Sequence, residues 1–284
     1  MNRPLAKRMG FLRRHWLISM FFTAGIGLLL WRWVDFTNGQ TPCPPGVARH
    51  ARNEVTRETC PSLGQMNGVK LAIPQHYLLG PRGFKGIDIW NAGSYKQRPK
   101  TNSFNNELDN FAIRIRLTNF KPIENFKDRD DYGKLGSLIG VPPPENRWIH
   151  VGVDVNRYSH SFQPAVNRWI KDEKGWGPFI EQPDTWGLKH YLSKQSPTVD
   201  DTTWHQTTQW EFFYDPLSWT TFITCENNIV PTVHRHIKQC EMKFFIPEIQ
   251  ASVAVDTLFD DVDLARWPEI KREVSKVIQS FIVP

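Results

Sequence analysis

The 284-residue chain has 35 Lys and Arg residues, 29 Asp and Glu residues and a formal net charge of +6. The positive excess lies in residues 1–32, which contain six basic residues and no acidic one, so the rest of the chain is balanced. Because nucleic-acid binding requires a basic patch in the folded domain, this distribution argues against a nucleic-acid partner.

Residues 16–34 form the stretch around which the chain is organised. No charged residue lies between Trp16 and Trp31. As a helix these nineteen residues reach about 28 Å, close to the ~30 Å hydrocarbon core of a bilayer. Five basic residues and no acidic one precede the stretch, which by the positive-inside rule holds the N-terminus in the cytoplasm. We therefore expect a cytoplasmic basic segment at residues 1–15, a transmembrane anchor at 16–34 and all later residues beyond the membrane.

A cleaved signal peptide is the alternative to a retained anchor. Cleavage needs small residues at the end of the apolar run, but this run ends in Trp31-Arg-Trp-Val-Asp-Phe. No cysteine follows closely enough for lipid attachment. Arg32 lies near the far end, where its long side chain reaches the headgroups. The pattern favours the anchor.

All four cysteines follow the predicted span, in a compartment where disulfides persist. Four cysteines allow three connectivities. Their spacing favours one bridge between Cys43 and Cys60 and another between Cys225 and Cys240, the second at the base of a long hairpin loop. Free buried thiols and metal ligands are the alternatives, and the lack of Cys-x-x-Cys spacing disfavours zinc.

The folded domain is predicted to cover residues 69–284. Residues 35–68 are polar and interrupted by Pro and Gly, and indicate a stalk. Alternation of apolar and polar residues predicts strands at 111–117 and 148–155. Shorter or less regular strands are predicted at 69–73, 86–90, 208–214, 219–225, 240–246 and 251–258. Because short turns or a bridged loop separate the last four, we expect them to form an antiparallel meander.

The end of the chain has the pattern of an amphipathic helix. Asp261 or Asp263 suits its cap and Pro268 its first turn, and Asp260 fits the same acidic start. The apolar stripe that must pack on the sheet comprises Ile270, Val274, Val277, Ile278 and Phe281. A shorter helix is predicted around residues 163–171. These elements predict one α+β domain: a mainly antiparallel sheet with a C-terminal amphipathic helix.

Motifs of catalysis or metal binding are weak in this sequence. Residues 136–140 superficially resemble a Gly-x-Ser-x-Gly elbow, but the serine is in the wrong position. His234 and His236 are the best metal candidates, although solvated loop histidines explain them better. Residues 128–131 faintly resemble a calcium loop, but Ile139 stands where a bidentate glutamate is needed, so a polar turn is expected. We predict no enzyme, no cofactor and no metal.

Trp176, Trp186 and Trp204 lie in polar segments, mostly interrupted by Gly or Pro. Exposed aromatic residues are common anchors in protein interfaces and in sugar binding. The alternative is that they hold long loops against the domain. We predict these three tryptophans as partner-binding residues.

Four segments resemble proteobacterial periplasmic proteins found with type VI secretion toxins: residues 73–77, 85–90, 111–117 and 148–153. Those relatives are membrane-anchored or exported immunity-type proteins, several of them linked to lipase effectors. The similarity extends over most of residues 70–283, including the second cysteine pair and the final helix. The matching motifs are structural, so the resemblance implies a role but no site residues.

Together these observations predict a single-pass protein of the bacterial inner membrane with a periplasmic protein-binding domain. The resemblance implies that its partner is a secreted, envelope-targeting toxin such as a lipase effector, which it neutralises. The alternative is a cell-envelope binding module that docks peptidoglycan or a component of a secretion machine through its loop tryptophans. An envelope hydrolase is a third candidate, disfavoured by the lack of a catalytic motif.

Overall fold

In the computed structural model of this chain, the described residues are 43, 60–87, 96–135, 143, 146–155, 161–171, 176–194, 198–199, 206–230 and 235–284. The chain divides into two compact units, Met1–Ala48 and Arg49–Pro284, and every described residue except Cys43 belongs to the second. The predicted segments 1–15 and 16–34 and most of the predicted stalk lie outside the described residues. Within the described part, no helix is long and apolar enough to cross a membrane.

The described part of the second unit contains thirteen strands and four helices. The strands are β1 (Ser62–Met66), β2 (Val69–Ile73), β3 (Gly83–Phe84), β4 (Leu108–Arg116), β5 (Trp148–Asp154), β6 (Phe179–Thr185), β7 (Leu188–Ser193), β8 (Thr198–Val199), β9 (Gln206–Thr207), β10 (Gln209–Tyr214), β11 (Thr221–Val230), β12 (Arg235–Ile246) and β13 (Ala251–Phe259). The helices are α1 (Phe126–Leu135), α2 (Gln163–Ile170), α3 (Asp260–Ala265) and α4 (Trp267–Gln279). A 3-10 turn, Pro247–Ile249, connects β12 to β13.

Nine of these strands form one antiparallel sheet in the order β3-β4-β5-β13-β12-β11-β10-β7-β6. Strands β10 to β13 are consecutive neighbours, which confirms the predicted meander. The two-stranded sheets β1-β2 and β8-β9 are separate from it. A mostly antiparallel α+β fold is therefore confirmed for the described part of the chain.

The two faces of the large sheet differ in what covers them. On the core face, side chains such as Ile113, Ile223 and Met242 join the main hydrophobic cluster. Helix α4 packs there through Ile270, Val274 and Ile278, as the apolar stripe predicted, and Phe281 follows it. The C-terminal residues also hydrogen-bond to β2, because the Ala72 amide donates to the Phe281 carbonyl at 2.8 Å. We call the opposite face of the sheet the outer face.

Strand β1 begins inside the segment that was predicted to be a stalk. It pairs with β2 around Asn67 and Gly68, whose φ angles are 50° and 82°. Asn-Gly with positive φ at both positions is the preferred two-residue hairpin turn. Met66 and Leu63 are fully buried. The hairpin turn, which composition alone obscured, extends the domain to the N-terminal side of residue 69.

The hairpin of β6 and β7 was not predicted. Its two-residue turn is Trp186-Gly187, with φ angles of 53° and 77°, again both positive. Strand β6 is at the edge of the sheet, where Pro183 is tolerated because one side of the strand needs no ladder hydrogen bonds. An edge strand with polar residues on both faces lacks the alternation by which strands are recognised.

Cys225 and Cys240 form a disulfide, the pairing favoured by their spacing. They are directly opposite each other in the β11–β12 ladder, which continues five residues beyond them on each strand. The sequence predicted a bridge at the base of a long hairpin loop. In the structure the bridge instead joins the middle of two long strands. Cys43 and Cys60 are also disulfide-bonded, and none of the four cysteines is free.

Two further expectations differ from the structure. A polar turn was expected at residues 128–131, but these residues belong to helix α1. Asp128 and Asp131 pair with Arg116 of β4 at 2.7 and 3.4 Å, and these ion pairs hold the polar helix on the sheet. Gly86 and Ile87 are not in a strand, and the rest of the strand predicted at 86–90 lies outside the described residues. The helix predicted at 163–171 is confirmed as α2.

Candidate functional site

Two short helices lie on the outer face of the sheet, and none of the other described helices covers the central strands between them. Helix α2 packs over β10 and β11, where Val166 contacts a second buried cluster that includes Phe212 and Phe222. Helix α1 packs over β4 and β5 through Tyr132, whose ring lies 5.7 Å from that of Trp148. Between the helices, strands β11, β12 and β13 present mainly polar side chains.

Trp169, at the C-terminal end of α2, is the centre of the aromatic packing on this face. Its ring lies 5.5 Å from Phe212, 5.7 Å from Phe222 and 5.6 Å from Phe179. Offset and edge-to-face pairs at such distances are each worth about 0.5–1.5 kcal/mol beyond the buried area. The side chain is therefore fixed by neighbours from three strands.

Two further tryptophans extend this cluster toward solvent. The rings of Trp169 and Trp176 are 5.0 Å apart, and Trp176 stacks on Trp210 with centroids 4.8 Å apart and planes 28° apart. Trp176 is 46% exposed, although it is in contact with both neighbours. Large apolar surface is thus both open to solvent and held in place.

The three tryptophans line a recess of about 400 Å³ whose other residues are mainly polar. We call it the tryptophan recess; besides the three rings its lining comprises Thr224, Glu226, Gln239, Cys240, Glu241, Lys243 and Asp256. Trp210, Glu226 and Gln239 stand side by side on three adjacent strands. Thr224 and Glu241 form the next row in the same register.

The recess carries more negative than positive charge. Three carboxylates and one ammonium group line it, a formal charge of −2. Lys243 pairs with Glu241. Glu226 is exposed and has no ion-pair partner among the described residues. Aromatic faces beside unbalanced carboxylates attract positively charged groups.

His150 of β5 connects helix α1 to the outer face. Its Nε2 atom lies 3.0 Å from the Tyr132 hydroxyl, and Arg114 stands beside it in the ladder. Burial lowers the pKa of the His150 imidazole below its ordinary value, and the charge of Arg114 lowers it further. The ring is therefore neutral at pH 7.

We expect the domain to lose stability as the pH falls below about 6.5, the ordinary histidine pKa. Since the folded pKa of His150 is lower, the unfolded chain binds the proton first, and acid favours unfolding. In His150→Gln the melting temperature should fall less between pH 7 and pH 5.5, as measured by circular dichroism. Tyr132→Phe is the control, because burial and Arg114 remain and the pH dependence should persist. Equal slopes in wild type and His150→Gln would contradict the assignment.

A buried ionic cluster on the core face is a structural alternative to the recess. Glu211 accepts a hydrogen bond from His190 at 3.0 Å, and its other oxygen lies 2.6 Å from Lys238 and 3.2 Å from Asn227. Burial acts to raise the pKa of the Glu211 carboxyl, but the bonds and charges of His190 and Lys238 outweigh it and lower the pKa. The Glu211 carboxylate is fully engaged by neighbouring side chains, and Lys238 also pairs with Asp261 at 2.8 Å, which indicates a structural role.

The structure separates the three predicted partner-binding tryptophans. Trp176 lies in the recess. Trp186 packs 5.5 Å from Phe213 beside the main core, and its carbonyl accepts a hydrogen bond from Trp267, so it holds a turn in place. Trp204 lies outside the described residues.

The weak motifs of the sequence do not contribute to the recess. Residues 136–140, His234 and the side chain of His236 lie outside the described residues, so the structure does not test them. No group of three potential metal ligands is found in the part of the chain that the structure describes. Asp260 accepts hydrogen bonds from the amides of Val262 and Asp263 at the start of α3. The cap predicted at Asp261 or Asp263 for the C-terminal helix is wrong, because α4 begins separately at Trp267, after Arg266, and has no side-chain cap bond.

The sequence reasoning missed Trp169, Trp210 and the carboxylates of the recess. One signal was present: Trp210, Phe212 and Tyr214 are aromatic at every second position, which places three rings on one face of β10. A strand with such a face requires an aromatic partner, which α2 supplies through Trp169. No local pattern in the sequence shows that the recess beside them stays open.

No protein-family model matches the chain, and no curated protein matches it. Two solved structures are similar to it. One is an immunity protein of the Stenotrophomonas maltophilia type IV secretion system, with 12% identity, a TM-score of 0.47 and coverage of 82% of this chain and 98% of that one. The other is the Neisseria meningitidis iron-regulated outer membrane lipoprotein FrpD, with 11% identity, a TM-score of 0.49 and coverage of 83% and 98%.

Proposed function

We propose that this protein binds another protein through the tryptophan recess and acts by blocking that partner. The observation that carries the proposal is Trp176, which is 46% exposed yet held against Trp169 and Trp210 at 5.0 and 4.8 Å. Tryptophan is enriched among the few residues that dominate binding energy in interfaces. A ring that is already ordered loses little entropy when a partner covers it.

The partner in this proposal is a secreted toxin that acts on the cell envelope, such as a lipase effector of a type VI secretion system. This part rests on the resemblance of residues 70–283 to periplasmic immunity-type proteins. A blocking protein needs a rigid complementary surface at the place where the toxin acts, and it needs no catalytic group.

The location in this proposal is the periplasmic side of the inner membrane, with residues 16–34 as a retained anchor. The uncharged run of those residues and the five basic residues before it support this topology. The disulfides support a compartment outside the cytosol, because such bonds persist where thiols are not kept reduced. Anchoring there would hold the domain close to an envelope-attacking enzyme.

Stoichiometry tests the blocking model. The partner is first captured with full-length protein in detergent, and its toxicity is then measured in cells that lack or carry the protein. We expect protection to scale with the copy number of the protein, and the purified toxin to be inhibited at a 1:1 molar ratio. Protection by small catalytic amounts would contradict blocking and would indicate an enzyme.

A cell-envelope binding module is the second candidate function. The stacked pair Trp176 and Trp210 beside carboxylates supports it, because sugars also stack on indole rings flanked by polar groups. In that case the full-length protein would sediment with purified peptidoglycan, and Trp176→Ala would abolish the sedimentation. We expect no such sedimentation.

A further inference from the structure

We propose that the tryptophan recess binds a cationic side chain, best matched by arginine, that the partner protein presents. The inference rests on the proposed function, since it assumes a protein partner, and it specifies what that partner must carry. Three features of the recess converge on it: the aromatic wall, the excess of carboxylates and the lack of an ion-pair partner for Glu226 within the described part of the chain.

The aromatic wall provides a surface for a planar cation. One face of Trp176 stacks on Trp210, and the residue is nearly half exposed. A guanidinium group over an indole face is attracted by the negative charge of the ring quadrupole, and tryptophan is the best of the aromatic residues for this contact. Guanidinium also sheds water more easily than an ammonium group and stacks on flat rings.

The carboxylates provide the charge complement. Glu226 stands directly across the β10–β11 ladder from Trp210, so its carboxylate flanks the tryptophan wall. Lys243 is paired with Glu241, whereas Glu226 has no ion-pair partner among the described residues. A carboxylate beside an aromatic face accepts the forked N–H groups of arginine while the ring covers the plane of the cation.

The same charge disfavours an acidic ligand. A segment rich in carboxylates would meet the formal charge of −2 in the recess, whose one lysine among the described lining residues is already paired with Glu241. Like charges that face each other across an interface suppress the wrong partners. A neutral sugar would gain the stacking contact and hydroxyl hydrogen bonds to the carboxylates, but no ionic attraction. An arginine side chain would contact both the aromatic wall and the carboxylates.

A titration with small probes tests the ligand class. Full-length protein containing 5-fluorotryptophan is titrated in detergent with the peptide acetyl-Gly-Arg-Gly-amide, followed by fluorine NMR. The Trp176 and Trp210 signals are assigned by Trp→Phe substitutions. The citrulline peptide is the matched probe, because citrulline has the shape of arginine without its charge. A trimer of N-acetylglucosamine represents the glycan alternative.

We expect the arginine peptide to shift the Trp176 signal in a saturable way. The citrulline peptide should bind at least about tenfold more weakly, a difference of about 1.4 kcal/mol. Binding should weaken from 20 to 200 mM salt, since exposed charges are screened over roughly 10 Å at 0.1 M. Equal binding of both peptides, or a shift by the sugar trimer alone, would overturn the inference.

Charge-neutralising variants carry the test to the partner protein. Glu226→Gln keeps shape and exposure, and it should lower the partner affinity roughly tenfold. Glu248→Gln removes the same charge at an exposed position of the 3-10 turn and should leave affinity unchanged. If the partner binds and both variants behave alike, the inference fails and the proposed function stands. If no protein binds and cells gain no protection, the proposed function fails.

Discussion

Replacing Arg147 with methionine is expected to lower the free energy of unfolding by about 3–5 kcal/mol, the usual cost of breaking a buried ion pair from one side. The Arg147 side chain is 5% exposed and lies 2.6 Å from an Asp263 oxygen, and the Asp263 side chain is 3% exposed. A second bond of 2.9 Å reaches Asp260. Arg147 precedes β5 and these carboxylates begin α3, so the cluster fastens the helix to the sheet.

The pH dependence of this variant follows from the buried carboxyl. Burial already raises the pKa of Asp263 in the presence of Arg147, and losing the cation raises it further. A group with a raised folded pKa stabilises the fold at low pH and loses that contribution as the pH rises. The stability deficit of Arg147→Met relative to wild type should therefore be largest at pH 7 and shrink toward pH 4.

Urea unfolding of full-length protein, followed by near-ultraviolet circular dichroism, measures these effects. Adding Asp263→Asn to Arg147→Met should recover part of the lost stability, because the amide removes the unpaired charge. Arg272→Met is the control, since Arg272 is exposed and pairs with the adjacent Glu273, and surface pairs of this kind are worth about 0–1 kcal/mol. A loss of less than about 1 kcal/mol in Arg147→Met would contradict the role of this cluster.

Trp169→Ala is expected to cost about 3 kcal/mol, the low end for removing a large aromatic side chain, because Trp169 is only partly buried. The substitution removes the ring contacts that hold α2 on the outer face. Trp176→Ala should cost less than about 1 kcal/mol, since that residue is 46% exposed. Both variants should lose partner binding.

Comparing these two variants separates a residue that stabilises the fold, Trp169, from a residue that contacts the partner, Trp176. Unfolding curves give the stability of each variant, and titration calorimetry with the captured partner gives its affinity. Trp169→Phe should restore most of the stability, because a phenyl ring still reaches Phe212 and Phe222. If Trp176→Ala binds the partner as well as wild type, Trp176 is not a contact residue. If Trp169→Ala is as stable as wild type, the aromatic cluster does not hold α2.

Much of the sheet could be predicted because one face of most strands is buried. In β4 and β5 the apolar residues alternate with polar ones, and the stripe of α4 repeats at helical spacing. Such patterns record burial directly. The meander followed from short connections between strands of this kind.

The missed elements have polar or short sequences whose structure depends on distant residues. Helix α1 has no apolar stripe, and it is held by Arg116 and His150 on strands that precede and follow it in the chain. Strand β6 contains Pro183 and lies at an edge. In both elements the stabilising contacts come from residues that a local window does not contain.

The candidate site was the hardest part to predict. Trp176 and Trp186 share the same local signal, a tryptophan before glycine in a polar segment, yet one lines the recess and the other packs beside Phe213. Trp169 and Trp210 resemble ordinary core residues in sequence. Which ring meets solvent depends on how α2 and the strands assemble, and composition does not encode that arrangement locally.

Cross-linking in living cells tests the central claim, that the tryptophan recess is the partner-binding surface. A photoreactive benzoylphenylalanine is placed at Ile170, which is 37% exposed and adjacent to Trp169, or at Val262 of α3, which is 63% exposed. We predict a cross-link from position 170 to the toxin against which the protein protects, and none from position 262. A toxin cross-link from position 262 with none from position 170 would contradict the account.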